Sequence, residues 1–371
     1  MWRWACHTCA VVDLDALQAA GIADAHRRAA LIEYLDGLGF TVEDMVQAER
    51  RGRLFGLAGD VLQWSGRPEF SLRSAAEELG VSLDELRRAW AALGLSVADP
   101  DEPALSRADL DGLTVWVQVK AAVGDDAALA FLRVLGASMS RLAEAGSSMI
   151  RVARPDIQMT HTQDELTTAR AYRAVSEVTQ RFSVLIDAVF RQHITSARAH
   201  FEGVIRDESA IVICGVGFAD LTGFTALTQR LSPTELSDLL IDFGGVVSDL
   251  VHVDGGRVVK FIGDEVMWVT STPELLVKVA VDLVEHPRAR EAGLQVRAGL
   301  GYGSVLAVGG DYFGNPVNLA ARLVAAATPG QILAGADVFD ELENWPAVPQ
   351  EDLVLKGFDA PVRAYDLRAG P

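Results

Sequence analysis

A short β-branched run, Ala210-Ile-Val-Ile-Cys-Gly-Val216, leads through Gly217-Phe-Ala to Asp220 and on into Leu221-Thr-Gly-Phe-Thr225. No other stretch constrains the fold as much. The run reads as a buried strand, and the small and polar residues after Asp220 lead into a helical first turn over Ala226-Leu-Thr-Gln-Arg230. A helix start carries free backbone N–H groups and attracts anions. A carboxylate beside it repels an anion unless divalent cations stand between the two. Taken singly, Asp220 reads first as a helix cap, so the rest of the chain has to decide.

The 371 residues are enough for two domains with sizeable cores. The net charge of −18 is shared: 12 basic and 23 acidic residues lie from Ile205 onward, and 21 and 28 before it. Neither half has the basic excess that nucleic acid favours, so no nucleic-acid partner is expected. No apolar run approaches the roughly 20 residues that span a bilayer. Met1 to Val12 meets Asp13 and Asp15 with no cleavage site, which reads as a cytoplasmic protein. Cys6-His-Thr-Cys9 has metal-ligand spacing but no second Cys/His pair completes it, and Cys214 reads as a core residue.

Residues 10 to 150 carry helical periodicity, for example Ala25 to Leu38 and Val42 to Arg51, each ended by Gly. Ser71 to Trp90 reads as two Ser-capped helices around Gly80 and resembles a helix-turn-helix. Asp84 and Glu85 at the second helix start disfavour a DNA groove, so internal packing is the better reading. A second helical block spans Asp109 to about Arg151, and one continuous amphipathic helix is expected from Gln163 to about Phe201, with apolar residues from Tyr172 to Phe190 at spacings of three and four. On it His193 and His200 share a face, with solvated surface histidines as the ordinary reading.

After Asp220 the pattern alternates. A helix starts at Ser232-Pro233 and reaches about Leu250, and Arg257 to Ile262 and Glu265 to Val269 form a hairpin with Gly263-Asp264 at its tip. A helix follows from Pro273 to about Glu285, a strand from Leu294 to Tyr302, a helix from Val317 to Ala327, a strand around Ile332 and a strand pair across Asp352 to Leu367. The expectation is a mainly α N-terminal domain and an α+β C-terminal domain with a mainly antiparallel sheet flanked by helices. Asp220 and Asp264 are placed to meet at one sheet edge and hold a pair of Mg²⁺ or Mn²⁺ ions. Lys260 lies four positions before Asp264, and Asn318 and Arg322 are one helical turn apart on one face. An amide and a guanidinium suit a ribose and a phosphoryl transition state.

These residues resemble the class III nucleotidyl cyclases over about 208 to 368. Phe218-Ala-Asp220-Leu-Thr-Gly-Phe-Thr225 looks like the family's first metal motif, Lys260-Phe-Ile-Gly263-Asp264 like its Lys-x-x-Gly-Asp hairpin, and Asp311, Asn318 and Arg322 like its third motif. Lys356-Gly-Phe358 is similar to its late phosphate-binding lysine. The resemblance implies a ferredoxin-like, palm-type fold and an adenylate cyclase that converts ATP to 3′,5′-cyclic AMP and pyrophosphate. It implies two metal ions on Asp220 and Asp264, triphosphate contacts from Leu221, Thr222, Gly223 and Phe224, and purine reading by Lys260 and Asp311. Asn318 would orient the ribose, Arg322 would stabilise the transition state, and Lys356 would hold the terminal phosphates. In the family the two sets come from different chains, which implies a head-to-tail homodimer with shared sites. The first half more loosely resembles the regulatory modules of actinobacterial cyclases. That gives residues 1–160 as a helical regulatory domain with a small-molecule, lipid or proton effector, 161–204 as a linker or dimerisation helix, and 205–371 as the catalytic domain. Rival readings are an inactive cyclase-like binding domain attached to a helix-turn-helix regulator, and a diguanylate cyclase, whose doubled glycine Gly263-Asp-Glu-Val lacks.

Overall fold

The computed structural model describes residues 12–96, 99–202, 210–287, 291 and 293–367, with the side chains of 197–202 left out. Cys6 and Cys9, and the side chain of His200, lie outside the described residues. The chain divides into two compact units at Arg191/Gln192.

The first unit is helical: α1 Leu14–Ala19, α2 Ala29–Gly37, α3 Val42–Arg50, α4 Leu57–Gln63, α5 Leu72–Leu79, α6 Leu83–Ala92, α7 Arg107–Val123, α8 Asp125–Ala153, α9 Met159–Thr162, α10 Glu165–Thr179 and the first half of α11 Phe182–Glu202, a helix that runs on across the boundary. Capping boxes start α3, α5, α6 and α7, as Ser or Thr three residues before an acceptor should. The helix-turn-helix-like pair α5 and α6 buries Leu72, Ala76, Leu86 and Ala89 in a core shared with Leu110 and Trp116 of α7 and Leu132 of α8. That is the internal packing expected of it. The block from Asp109 is two helices, parted at Gly124.

The single helix expected over Gln163 to Phe201 is likewise two. Tyr172 Oη donates to Asp60 Oδ1 (2.6 Å), Arg28 donates to Glu165 through Nε and Nη2 (2.6 and 2.8 Å), and Gln63 Nε2 donates to Thr179 Oγ1 (2.6 Å), so α10 is fastened to α2 and α4. At its end Arg181 N and Val184 N bond three residues back, to Val178 and Arg181. These tighter turns interrupt the α-helical ladder and α11 begins anew. Phe182, Leu185 and Phe190 of α11, and His193, are exposed.

The second unit contains β1 Ile211–Thr222, α12 Phe224–Thr228, α13 Pro233–Val253, β2 Arg257–Ile262, β3 Glu265–Thr270, α14 Pro273–Glu285, β4 Gln295–Val308, β5 Asp311–Phe313, α15 Asn315–Ala326, β6 Ile332–Gly335, α16 Ala336–Phe339, β7 Ala347–Pro349 and β8 Ala364–Leu367. The sheet order is β2-β3-β1-β4-β6-β8-β7, with β5 paired to β4, and all pairings are antiparallel except β4 with β6. This is the mainly antiparallel sheet expected, with two differences. β1 continues past Val216 to Thr222, and β8 pairs with β7 while 352–363 is joined by only a Leu353–Val362 bridge.

Side chains alternate across a strand, so β1 serves two cores. Ala219 and Leu221 face one with Val247 and Val251 of α13 and Leu276 and Ala280 of α14. Cys214, Val216 and Phe218 face the other with Met267 of β3, Tyr312 of β5 and Ala320 and Val324 of α15. α15 lies so close to β4 that a Cβ on Gly299 would stand 2.2 Å from Val324 N and 2.3 Å from Ala320 O. Gly299→Ala is expected to destabilise the unit by about 1–3 kcal/mol, the usual scale of overpacking, read as a lower midpoint in a urea melt.

Candidate active site

β1 delivers Asp220 two residues before its end, on the face that carries Phe218. Its position is set by register: Asp220 stands opposite Glu265 on β3 and Arg297 on β4. Gly263, at φ +67, supplies the left-handed turn that a side chain would strain, and so puts Asp264 at the tip of the β2–β3 hairpin. Burial, and then the negative charge of Asp220, push the Asp264 carboxyl above its ordinary range. Glu265 is raised for the same reasons, burial first. One cation already answers this acidic corner: Arg297 donates to Asp220 Oδ2 through Nε (2.9 Å) and Nη2 (2.6 Å). Its Nη1 reaches the carbonyls of Ala325 and Ala327 (3.3 and 3.1 Å), where the negative end of the α15 dipole favours a guanidinium.

After Asp220, Leu221 and Thr222 remain paired strand residues, opposite Val296 and Gln295. Gly223 turns the chain at φ +89 and caps α12, which begins at Phe224. The Thr222 hydroxyl, on the Asp220 side of the pleat, is buried and makes no hydrogen bond among the described residues.

A second cluster lies on the same face of the sheet. Lys260 of β2 forms an ion pair with Asp311 of β5, both partly buried. Asn318 and Arg322 both project from the exposed side of α15, whose opposite side buries Leu319, Ala320, Leu323 and Val324. Lys356 stands exposed on a turn anchored by buried Leu355 and by Phe358. The structure thus brings Asp220 to Asp264, Lys260 to Asp311 and Asn318 to Arg322. No hydrogen bond or ion pair among the described residues joins these three pairs or ties Lys356 to any of them.

Residues 208–368 match the family of adenylate and guanylate cyclase catalytic domains, and residues 11–197, half of the chain, match the adenylate cyclase regulatory domain family. A pH-sensitive adenylate cyclase of Mycobacterium tuberculosis is 31% identical over 92% of this chain and 88% of its own. The chain belongs to the adenylate and guanylate cyclase family. An uncharacterized protein of Mycobacterium tuberculosis is 65% identical to this cyclase over 97% of this chain and 95% of its own. The crystal structure of the adenylyl cyclase CyaB from P. aeruginosa overlaps 43% of this cyclase and 96% of that chain, at 26% identity and a TM-score of 0.41.

Three neighbours of the candidate residues carry no motif of their own in the sequence. Arg297 and Glu265 join Asp220 through cross-strand register, and Tyr312 joins the Lys260–Asp311 cluster from the core. The cue available was the period-two pattern of β1: continued to Thr222, it places Asp220 inside a paired strand, where it must have cross-strand neighbours.

Proposed function

We propose that this cyclase forms 3′,5′-cyclic AMP and pyrophosphate from ATP, in two sites shared by a head-to-tail homodimer, under control of its helical unit. The observation that carries the choice of ATP is the Lys260–Asp311 pair. An ammonium donor beside a carboxylate acceptor suits adenine N1 and the 6-amino group, whereas guanine O6 and N1–H call for the reverse. Adenylate cyclase names among relatives support the same reading.

The residues present fit divalent ions. Asp220 and Asp264 offer hard oxygen ligands, burial and the charge of Asp220 disfavour an ionised Asp264 without a cation, and the buried Thr222 hydroxyl, on the Asp220 side of β1, is unsatisfied. When bound at Asp220 and Asp264, two such ions would lower the pKa of the ribose 3′-OH and offset the triphosphate charge. Gly223 and Phe224, just past the paired Leu221 and Thr222, would approach the triphosphate with backbone N–H groups, Arg297 would present its guanidinium to it once a cation relieves Asp220, and Lys356 would hold its far end. Asn318 would orient the ribose and Arg322 would stabilise charge on the α-phosphoryl group.

Support for shared sites comes from what α15 leaves open. Asn318 and Arg322 face solvent without a partner among the described residues, as groups that serve a neighbouring copy would. Two exposed apolar patches offer faces a dimer would cover: Phe261 and Ile262 near the hairpin tip, and the cross-strand neighbours Ile211, Leu306 and Phe313 at the start of β1. A head-to-tail two-fold dimer would set the first patch of each copy against the second patch of the other.

Incubation of the full chain with ATP and Mn²⁺, followed by detection of cyclic AMP, tests the activity; no product would leave a binding module as the better reading. Lys260→Ala and Asp311→Ala are each expected to lower the ATP-to-GTP ratio of kcat/KM roughly tenfold or more, the scale of a lost hydrogen bond to a charged group. For control by the helical unit, the comparison is between the full chain and one starting at Ala199, across pH and with added effectors. A constant activity ratio would count against it.

A further inference from the structure

Among the described residues β5 forms hydrogen-bonded strand pairs only with β4, yet two side-chain ties fasten it to β2 across the face of the sheet. One is Lys260 to Asp311; the other is Arg257, which donates through Nη2 to the hydroxyl of Tyr312 and sits over its ring, 5.4 Å from the centroid. The two ties fall side by side because of a bulge. Between Val258 and Lys260 the β2–β3 register shifts, so that Arg257 opposite Val269 and Lys260 opposite Met267 share the face that three-residue spacing would otherwise divide. Tyr312 is 2% exposed among Cys214, Met267 and Val324, and burial raises its hydroxyl above the ordinary phenol range, so it stays neutral. Its backbone N–H donates to Asp311 Oδ1 (2.9 Å), while Lys260 holds Oδ2. Arg257 forms no ion pair among the described residues, and its buried Nε has no acceptor. An arginine is costly to hold in this way unless its placement serves something.

We propose that Arg257 and Tyr312 form a strut that sets the separation and aim of Lys260 and Asp311, and thereby the purine selectivity of the cyclase. This rests on the reading above that Lys260 and Asp311 contact the purine. To admit a base, their direct ion pair has to open; among the described residues the strut is then the side-chain tie that still holds β5 against β2. Both residues are positioning residues and neither is placed on substrate.

The test measures kcat and KM for ATP and GTP in the full-length Mn²⁺-loaded protein carrying Tyr312→Phe, Arg257→Ala, Arg257→Lys, Lys260→Ala or Asp311→Ala. Tyr312→Phe removes one oxygen from a packed ring and keeps the core filled. The expected result for Tyr312→Phe and Arg257→Ala is a roughly fivefold to tenfold lower ATP-to-GTP ratio, carried by KM for ATP, with kcat for ATP within about twofold. Arg257→Lys recovers most of the ratio. An unchanged ratio in Tyr312→Phe, or equal losses for both nucleotides, overturns the strut while leaving the purine reading intact if Lys260→Ala and Asp311→Ala still lower the ratio. A ratio unmoved by Lys260→Ala and Asp311→Ala removes the purine reading itself, and the strut with it.

Discussion

Asp220→Ala protein and Arg322→Ala protein, each expected to be inactive alone, regain cyclase activity when the two chains are co-expressed. The reason lies in which side chains share a neighbourhood. Asp220 belongs to the acidic corner with Asp264, Glu265 and Arg297, whereas Arg322 stands on the exposed side of α15 with Asn318. If one site takes its acids from one copy and its arginine from the other, a mixed dimer places both defects in one site and leaves the second intact. Random pairing makes half the dimers mixed, so activity should return to about a quarter of that of the unmodified protein. Activity that stays at the level of the single variants would show that each site is built within one chain.

Asp264→Asn is expected to remove at least about a thousandfold of kcat while leaving the fold as stable as before, or more so. The sign follows from electrostatics. Burial and the charge of Asp220 raise the folded-state pKa of Asp264 above its unfolded value. A carboxyl shifted that way favours the fold when protonated, and the favour is lost as pH rises through its raised pKa. At neutral pH the ionised group therefore opposes folding, and an amide relieves it. Thermal melts without divalent metal should give Asp264→Asn a midpoint equal to or above that of the unmodified protein. Adding Mn²⁺ should raise the midpoint of the unmodified protein and leave that of the variant nearly unmoved. A variant that melts well below the unmodified protein and still responds to Mn²⁺ would assign Asp264 a structural role.

Much of this was legible in the chain because it is encoded locally. The Gly263-Asp264 tip follows from a turn between two apolar runs, and Ser232-Pro233 and Thr272-Pro273 announce α13 and α14 through caps that bond within three residues. The four-residue step from Asn318 to Arg322 needs only helical geometry to put both on one face. Where the local pattern misled, distant contacts had intervened. The stripe from Tyr172 to Phe190 is continuous in sequence, but the bonds from Asp60, Gln63 and Arg28 commit α10 to the helical core and the backbone tightens at Gln180 and Arg181 before α11.

The sequence alone therefore determined the class of the sheet, the hairpin acid, and a set of candidate residues at telling spacings, since each depends on side-chain period or turn chemistry over a few residues. Tertiary structure decided who stands next to whom. It carried β1 on to Thr222, so that Asp220, at a strand end by its sequence, is a paired strand residue facing Arg297 across 77 positions of sequence. It also folded β5 over the sheet so that Asp311 and Tyr312 meet Lys260 and Arg257. Strand register and the packing of a sheet face are properties of the whole assembled sheet, and no local stretch of the chain specifies them.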